Sequence, residues 1–478
     1  MLKRTAILLA VVFLSCSGQV RTPDSPSPQT RQQPRTGQEH TQIVIYARMA
    51  APAPIPLRWD IRKVSLNRAD GSQVDVPGSA VSLRTTELER SQKILTISEI
   101  NAGAYTGVTI FTGDVYDEQT MRPFPLGTSV SSVDADFSII AGNAKTLTVV
   151  LDLEADSGGQ VSEFRPRLVL EPENPRPTGK LVYVANELSS NISIIDKRLK
   201  RVVYNVFVGT KPYALGGDLR RNRLYIGDRK DGVIYEMDMV SQQLLRAIEL
   251  EFIDEPVHLE PIPAKDLLVV VNFGSDTVYL VDSFTLQIIE TIEVGDGPVN
   301  AVYSPYHDVT FVLNHRFGTI SVVNLQTQPA RVDTTLRVEL NPRGLAVDDT
   351  RRWLFVSNSG STDLLVIKME TLETMAIERS VPIGIGAGDI AFDPFGRRLY
   401  VAMTDTREIL CVDPFTGVKM FSIKLPAQPG DLLFDPDEKK LYAAIPERNA
   451  VVVIDPLARA IQHWIETGQG PSSIAIRL

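Results

Sequence analysis

From Leu181 to its last residue the chain repeats one pattern seven times, and that repeat leaves few folds open. Each unit runs an apolar strand, a polar turn, a second apolar strand ending on an acidic or amide residue, a more variable strand, and a Gly/Pro turn. The most regular copies read Leu399-Tyr400-Val401-Ala402, then Leu410-Cys411-Val412-Asp413, and, in the last unit, Gly468-Gln469-Gly470-Pro471. The strand-end position recurs as Asp196, Asp238, Asp282, Asn324, Lys368, Asp413 and Asp455, at spacings of 42, 44, 42, 44, 45 and 42 residues. A period of about 43 is that of four-stranded propeller blades. Such a repeat decides architecture and says little about chemistry.

The ends of the repeat predict how the ring closes. It opens on the second strand of a blade, Leu181 to Ala185, and finishes on a first strand, Ser473-Ile474-Ala475-Ile476. The C-terminal strand is therefore expected to complete the blade begun near Leu181, which removes an exposed edge. The reading is an all-β chain with a seven-bladed β-propeller over 180–478, expected to be monomeric.

Residues 41–172 form a separate, non-repeating unit. Strand alternation is read in Ile43-Val44-Ile45-Tyr46, Leu57-Arg58-Trp59-Asp60-Ile61, Leu95-Thr96-Ile97, Tyr105 to Ile110 and Leu147 to Leu151. Turn signals such as Ala69-Asp70-Gly71-Ser72 separate them and no helical stripe appears, so an N-terminal β-sandwich is expected. The proline-dense stretch 173–179 reads as a stiff linker. Residues 16–40 are Pro, Gln, Thr, Ser and Arg with almost nothing apolar, which predicts a disordered tether. As a flexible chain, its residues 17–40 would reach roughly 27 Å.

Composition narrows the function. A net charge of -9 and a pI near 5.3 argue against a nucleic-acid surface, which needs clustered Lys and Arg. The two cysteines, Cys16 and Cys411, fall in no zinc, CxxCH or disulfide pattern, and Cys411 reads as a small buried hydrophobe. No cofactor is predicted from motifs. Gly384-Ile385-Gly386-Ala387-Gly388 looks like a phosphate loop but precedes a strand, not a helix. No Ser-His-Asp arrangement can be assembled, so no catalytic residue is assigned.

Three resemblances add expectations. Lys3-Arg4, the apolar run Ala6 to Leu14 and Phe13-Leu14-Ser15-Cys16 resemble a bacterial lipoprotein signal, residues 1–15, with Phe13 where the usual pattern has Leu. That resemblance implies cleavage before Cys16 and its acylation (palmitate among the chains). The protein would then be anchored to a membrane, extracytoplasmic, in the cell envelope, and at the outer membrane of a two-membrane organism because Ser17 follows. Several acyl chains give stable anchoring where one does not. Tyr183-Val184-Ala185-Asn186, Phe355-Val356-Ser357-Asn358 and the turn Gly295-Asp296-Gly297-Pro298 resemble the YVTN family of seven-bladed propellers. Ala102 to Val108 with Gly142 to Val149 is similar to an uncharacterised sandwich domain of bacterial lipoproteins, which implies no activity.

Aligning the innermost strands on their turn residue gives the candidate site. Two residues after each turn Pro, or after Ala387, stand Ala214, His258, Asn300, Gly344, Asp389, Asp431 and Ser473, each followed by an apolar residue. Strand alternation points the first set to the central channel, with Glu260 on the same side as His258. A ring of His258, Glu260, Asn300, Asp389, Asp431 and Ser473 at the mouth can hold a polar ligand or simply wall a water-filled channel. Any metal would be a divalent cation on His258, Glu260, Asp389 and Asp431. On the same face, Arg229, His315, Arg316 and Phe317 are candidates to recognise an envelope protein, peptide or glycan. Two functions follow: a binding or scaffold module, or a propeller enzyme of the metal-assisted lactonase or lyase kind using the channel mouth.

Overall fold

Apolar residues fill the two middle strands of every blade because those strands are covered on both sides. Leu181–Asn186 and Val309–Asn314 are buried at each position. A sheet packed on both faces favours continuous Val, Ile and Leu over alternation. The computed structural model describes residues 30–31, 41–89, 91–153, 161–171, 177 and 179–477. Cys16, the leader, nearly all of the tether and most of the linker lie outside the described residues.

Seven four-stranded antiparallel sheets follow one another around a ring, with innermost strands Pro471–Arg477, Pro212–Asp218, Pro256–Ile262, Pro298–Ser304, Pro342–Asp348, Ala387–Asp393 and Leu432–Asp435 for blades 1 to 7. Each innermost strand lies against those of its neighbours, and the seventh meets the first. The C-terminal strand Pro471–Arg477 pairs antiparallel with Leu181–Asn186, with Tyr183 opposite Ala475. The fold is thus a seven-bladed propeller closed by its last strand. Thr30–Arg31 adds two residues to the outer edge of blade 2, pairing with Ile248 and Ala247.

The periodic acidic residue proves to be a turn device. Asp196 Oδ1 accepts the amides of Arg198 and Leu199, both at 2.8 Å. Asp238, Asp282, Asp413 and Asp455 do the same for the residues two and three ahead, and Asn324 takes one such amide from Gln326. A carboxylate ending a strand thereby closes the tight hairpin to the outer strand. Blade 5 has Lys368 there, pairs it with Glu370, and uses the longer connection 369–375.

The N-terminal sandwich has two sheets. One orders Pro166–Glu171, Ala144–Leu153, Gln42–Met49 and Lys93–Glu99, with the middle pair parallel. The other orders Gln73–Val76, Leu57–Asn67, Gly103–Asp117 and Val130–Ile139, with Val81–Arg84 also on Leu57–Asn67. Their facing sides share one core around Ile43, Ile45, Trp59, Val64, Leu147 and Phe164. Strand Gln42–Met49 explains its unbroken apolar run. Ile43, Ile45 and Ala47 enter that core, while Val44 and Tyr46 turn the other way and pack on the propeller. The two units are joined through buried contacts rather than held apart by a spacer.

Candidate functional site

A β-bulge sits at the start of the innermost strand in blade after blade. Pro212 pairs with Asp228 and Ala214 with Gly227, leaving Tyr213 as the extra residue. Val257, Val299, Arg343 and Ser472 are extra in the same way. A bulge re-aims side chains at the end of a strand. Simple alternation therefore missed this position, although its variation from Tyr to Val, Arg, Gly and Ser is visible once the blades are aligned.

The ring residues do not point freely into a channel. Each of the charged ones reaches sideways to the next blade. Asp389 Oδ2 accepts the Leu432 amide at 2.9 Å, Asp431 Oδ2 that of Ile474 at 2.7 Å, and Glu260 Oε1 that of Tyr303 at 3.2 Å. His258 meets the Ala301 backbone in the same relation. In every case the partner lies one repeat, 43 residues, further on. Blade 5 has no side chain at Gly344, so Ser357 of the second strand takes over: its hydroxyl accepts the Gly344 amide at 2.8 Å and donates to Gly388 of blade 6. Ser472 bridges blade 1 to blade 2 by donating to the Tyr213 carbonyl at 2.9 Å. Asn300 and Ser473, both half-buried, occupy the matching positions of blades 4 and 1.

Burial changes the charge of this ring. Asp389 and Asp431, on adjacent blades, lie within hydrogen-bonding reach of each other. Burial pushes the first up to about 6 and the second well above the usual carboxyl range, with Asp389 adding to the latter. The pair holds a proton between its carboxyls, because two like charges so close cannot both ionise. Burial also raises Glu260 to about 7 and lowers His258 to about 4, so the imidazole is neutral. His258 keeps some surface along the wall, but its Nε2 has none and no hydrogen-bond partner. Among the described residues no group of three or more His, Cys, Asp and Glu gathers to hold a metal ion. His258, Glu260, Asp389 and Asp431 are distributed over three blades and committed to neighbouring strands.

The face loops do assemble. Arg229 and Arg316 both pack on the Phe273 ring, with guanidinium carbons 5.7 and 4.9 Å from its centroid, and Arg229 also covers Tyr213 at 5.2 Å. Glu255 and Asp296 tie the two arginines at 3.1 and 2.6 Å. His315 turns inward and donates from Nδ1 to the Pro342 carbonyl at 3.0 Å, which leaves Nε2 as the free acceptor. Burial lowers its pKa, and the nearby Arg343 and Arg316 lower it further. Phe317 is 69% exposed, and Phe252, Ile253, Leu340 and Ile385 add an apolar rim on the connectors of the same face. Tyr213 lies in the field of Arg229, Glu187, Arg343 and Asp431, residues of blades 2, 1, 5 and 7, which places it close to the axis. Arg343 is exposed there, and among the described residues no carboxylate lies within ion-pair distance of it.

Residues 262–477 match the family model of the cytochrome D1 heme domain. Similar solved structures include a protein of unknown function from Desulfotomaculum acetoxidans at 12% identity and TM-score 0.56, covering 63% of this chain and 99% of that one. The Pseudomonas aeruginosa periplasmic gluconolactonase follows at 15% and 0.52, with coverage of 63% and 99%. Kuenenia stuttgartiensis hydrazine synthase follows at 16% and 0.51, with 57% and 91%. These likenesses concern the propeller fold. A search of curated proteins finds no match. A haem needs an axial donor with an accessible lone pair. His258 Nε2, with no surface, does not offer one. His315 is half-buried, and its Nδ1 is held by a backbone carbonyl in the manner of metal-binding histidines, which leaves the lone pair on Nε2.

Proposed function

We propose that the chain is a lipid-anchored, extracytoplasmic propeller of the YVTN kind that acts as a binding module in the cell envelope, taking an anionic partner at its mouth. The observation that carries this reading is Arg343, an exposed cation with no ion pair among the described residues, at the start of an innermost strand and within electrostatic reach of Tyr213. The neighbouring arginines are neutralised by Glu255 and Asp296. The ring below is less acidic than its composition suggests, because burial keeps Asp389, Asp431 and Glu260 wholly or partly protonated. An anion reaching the axis therefore meets the Arg343 guanidinium and aromatic surface rather than a wall of carboxylates.

The test is a thermal-shift panel of sugar acids, short acidic peptides and haem-type tetrapyrroles on the mature chain, with Arg343→Ala beside it. An anionic compound should raise the melting temperature of the wild type and do little for the variant. Equal stabilisation of both proteins, or none by any anion, would overturn the reading. The alternative, a propeller lactonase or lyase, has the gluconolactonase as a fold neighbour. Turnover of a lactone that disappears in Glu260→Gln would decide for it.

A second reading is favoured by His315. If the anionic ligand is a haem of the kind named by the matching family model, His315 Nε2 would hold its iron, and Arg343 would meet its carboxylates. Such a group would supply redox chemistry at its iron, while this chain would bind and orient it. A Soret shift on haem addition that is lost in His315→Ala and retained in His258→Ala would support this.

A further inference from the structure

Seven apolar clusters fill the spaces between blades, and six of them are built from propeller residues alone. The seventh, between blade 7 and blade 1, takes in Val44 and Tyr46 of the sandwich, with Ile94 and Ile97 packed against it. This is also the seam at which the ring closes. Chain joins blade 7 to blade 1 through 467–470, but inside blade 1 the innermost strand Pro471–Arg477 is held to Leu181–Asn186 by pairing alone, residues nearly three hundred positions apart.

Polar contacts follow the seam over its whole height. Gln42 donates to the Ser189 carbonyl at 2.8 Å and accepts from Asn191 Nδ2 at 2.7 Å, beside the mouth-face hairpin of blade 1. Halfway down, Thr146 Oγ1 accepts both the backbone amide and the side-chain amide of Asn205, each at 3.1 Å. Near the opposite face Glu171 is bidentate to Arg201 and also meets Arg48. Blade 7 is held by Glu466, which accepts the Ile94 amide at 2.8 Å and pairs with Lys93 at 3.4 Å. Gln42, Asn191, Thr146 and Asn205 are all buried, so releasing the sandwich would strand polar groups as well as expose apolar ones.

We infer that the N-terminal sandwich is a clasp for the propeller: it grips blade 1 and blade 7 together, so that the ring opens only when the sandwich lets go. Its function is then the integrity of the ring rather than ligand binding. This is independent of what binds at the mouth. The geometry requires both blades to be engaged by the same sheet, and they are, by strands Gln42–Met49 and Lys93–Glu99.

Hydrogen exchange of the full mature chain, read by mass spectrometry, tests it. In Gln42→Ala/Thr146→Arg, exchange in Leu181–Asn186 and Pro471–Arg477 should quicken at least tenfold. Gly103–Asp117 in the sandwich and Val309–Asn314 in blade 4 should keep their protection. Unchanged seam exchange in this variant would overturn the clasp. Wild-type protein in rising denaturant gives a second measurement that does not depend on the variant folding. The seam strands should open no earlier than Lys93–Glu99, and opening of the seam beneath a docked sandwich would refute the proposal.

Discussion

Lys197→Met is the most severe single test of how the ring is held on the side opposite the mouth. Lys197 of blade 1 meets Asp435 of blade 7 at 2.5 Å, with side chains only 1% and 0% exposed. At that distance the attraction is of the order of 7 kcal/mol with an effective dielectric of about 20. Desolvating two ions offsets most of it, so the intact pair is not a large net stabiliser. Removing one partner is different. Asp435 would keep only the amides of Asp437 and Glu438 on its other oxygen, and a buried charge without its counter-ion costs about 3–5 kcal/mol. Guanidinium unfolding followed by fluorescence, with Trp464 of blade 7 among the reporters, should show that loss in the midpoint. Adding Asp435→Asn should recover a substantial part of it, because the stranded charge disappears while the turn survives. The neighbouring Lys180–Asp437 pair spans the same two blades but is 53% and 36% exposed, and Lys180→Met should leave the midpoint where it was. A midpoint for Lys197→Met as little changed as that of Lys180→Met would refute the argument that burial decides the cost.

Three further outcomes are expected. Glu260, raised to about 7 by burial, destabilises the fold progressively as pH rises from about 4.5 to 7, since only the unfolded chain ionises freely there. His258, lowered to about 4, does the reverse, adding stability as pH rises from about 4 to 6.5. Stability profiles should therefore tilt in opposite directions: Glu260→Gln should make stability rise more with pH, His258→Gln should make it rise less, and parallel profiles would contradict the burial of either group. Gly344→Ala should cost about 1–3 kcal/mol in chemical unfolding, because the added carbon would lie 2.7 Å from Ser357 Oγ and 2.8 Å from the Ile390 amide; an unchanged midpoint would show that the ring can yield. Cys16→Ser should move the protein from the membrane fraction to the soluble extracytoplasmic fraction, and continued sedimentation with membranes would count against the lipid anchor.

What could be read from residues alone was whatever repeats. The seven units, their strand-end turns and the pairing of the last strand with Leu181–Asn186 follow from local periodicity, since each blade must solve the same packing problem with residues close in sequence. Periodicity also found the ring positions. It could not find their roles. Asp389 and Glu260 read as channel ligands until the next blade's amides appear within reach, an arrangement in which sequence neighbours play no part. Tyr213 and Arg343 escaped because a bulge breaks the alternation on which their orientation would be judged. Val44 and Tyr46 looked like half of an alternating strand, whereas both faces of that strand are buried, one of them by blades lying far along the chain. The sequence by itself determined the blade count and the ring, because these depend on short-range pattern. Only tertiary structure decided the charge of the mouth and the place of the sandwich, because desolvation and docking depend on which distant surfaces meet.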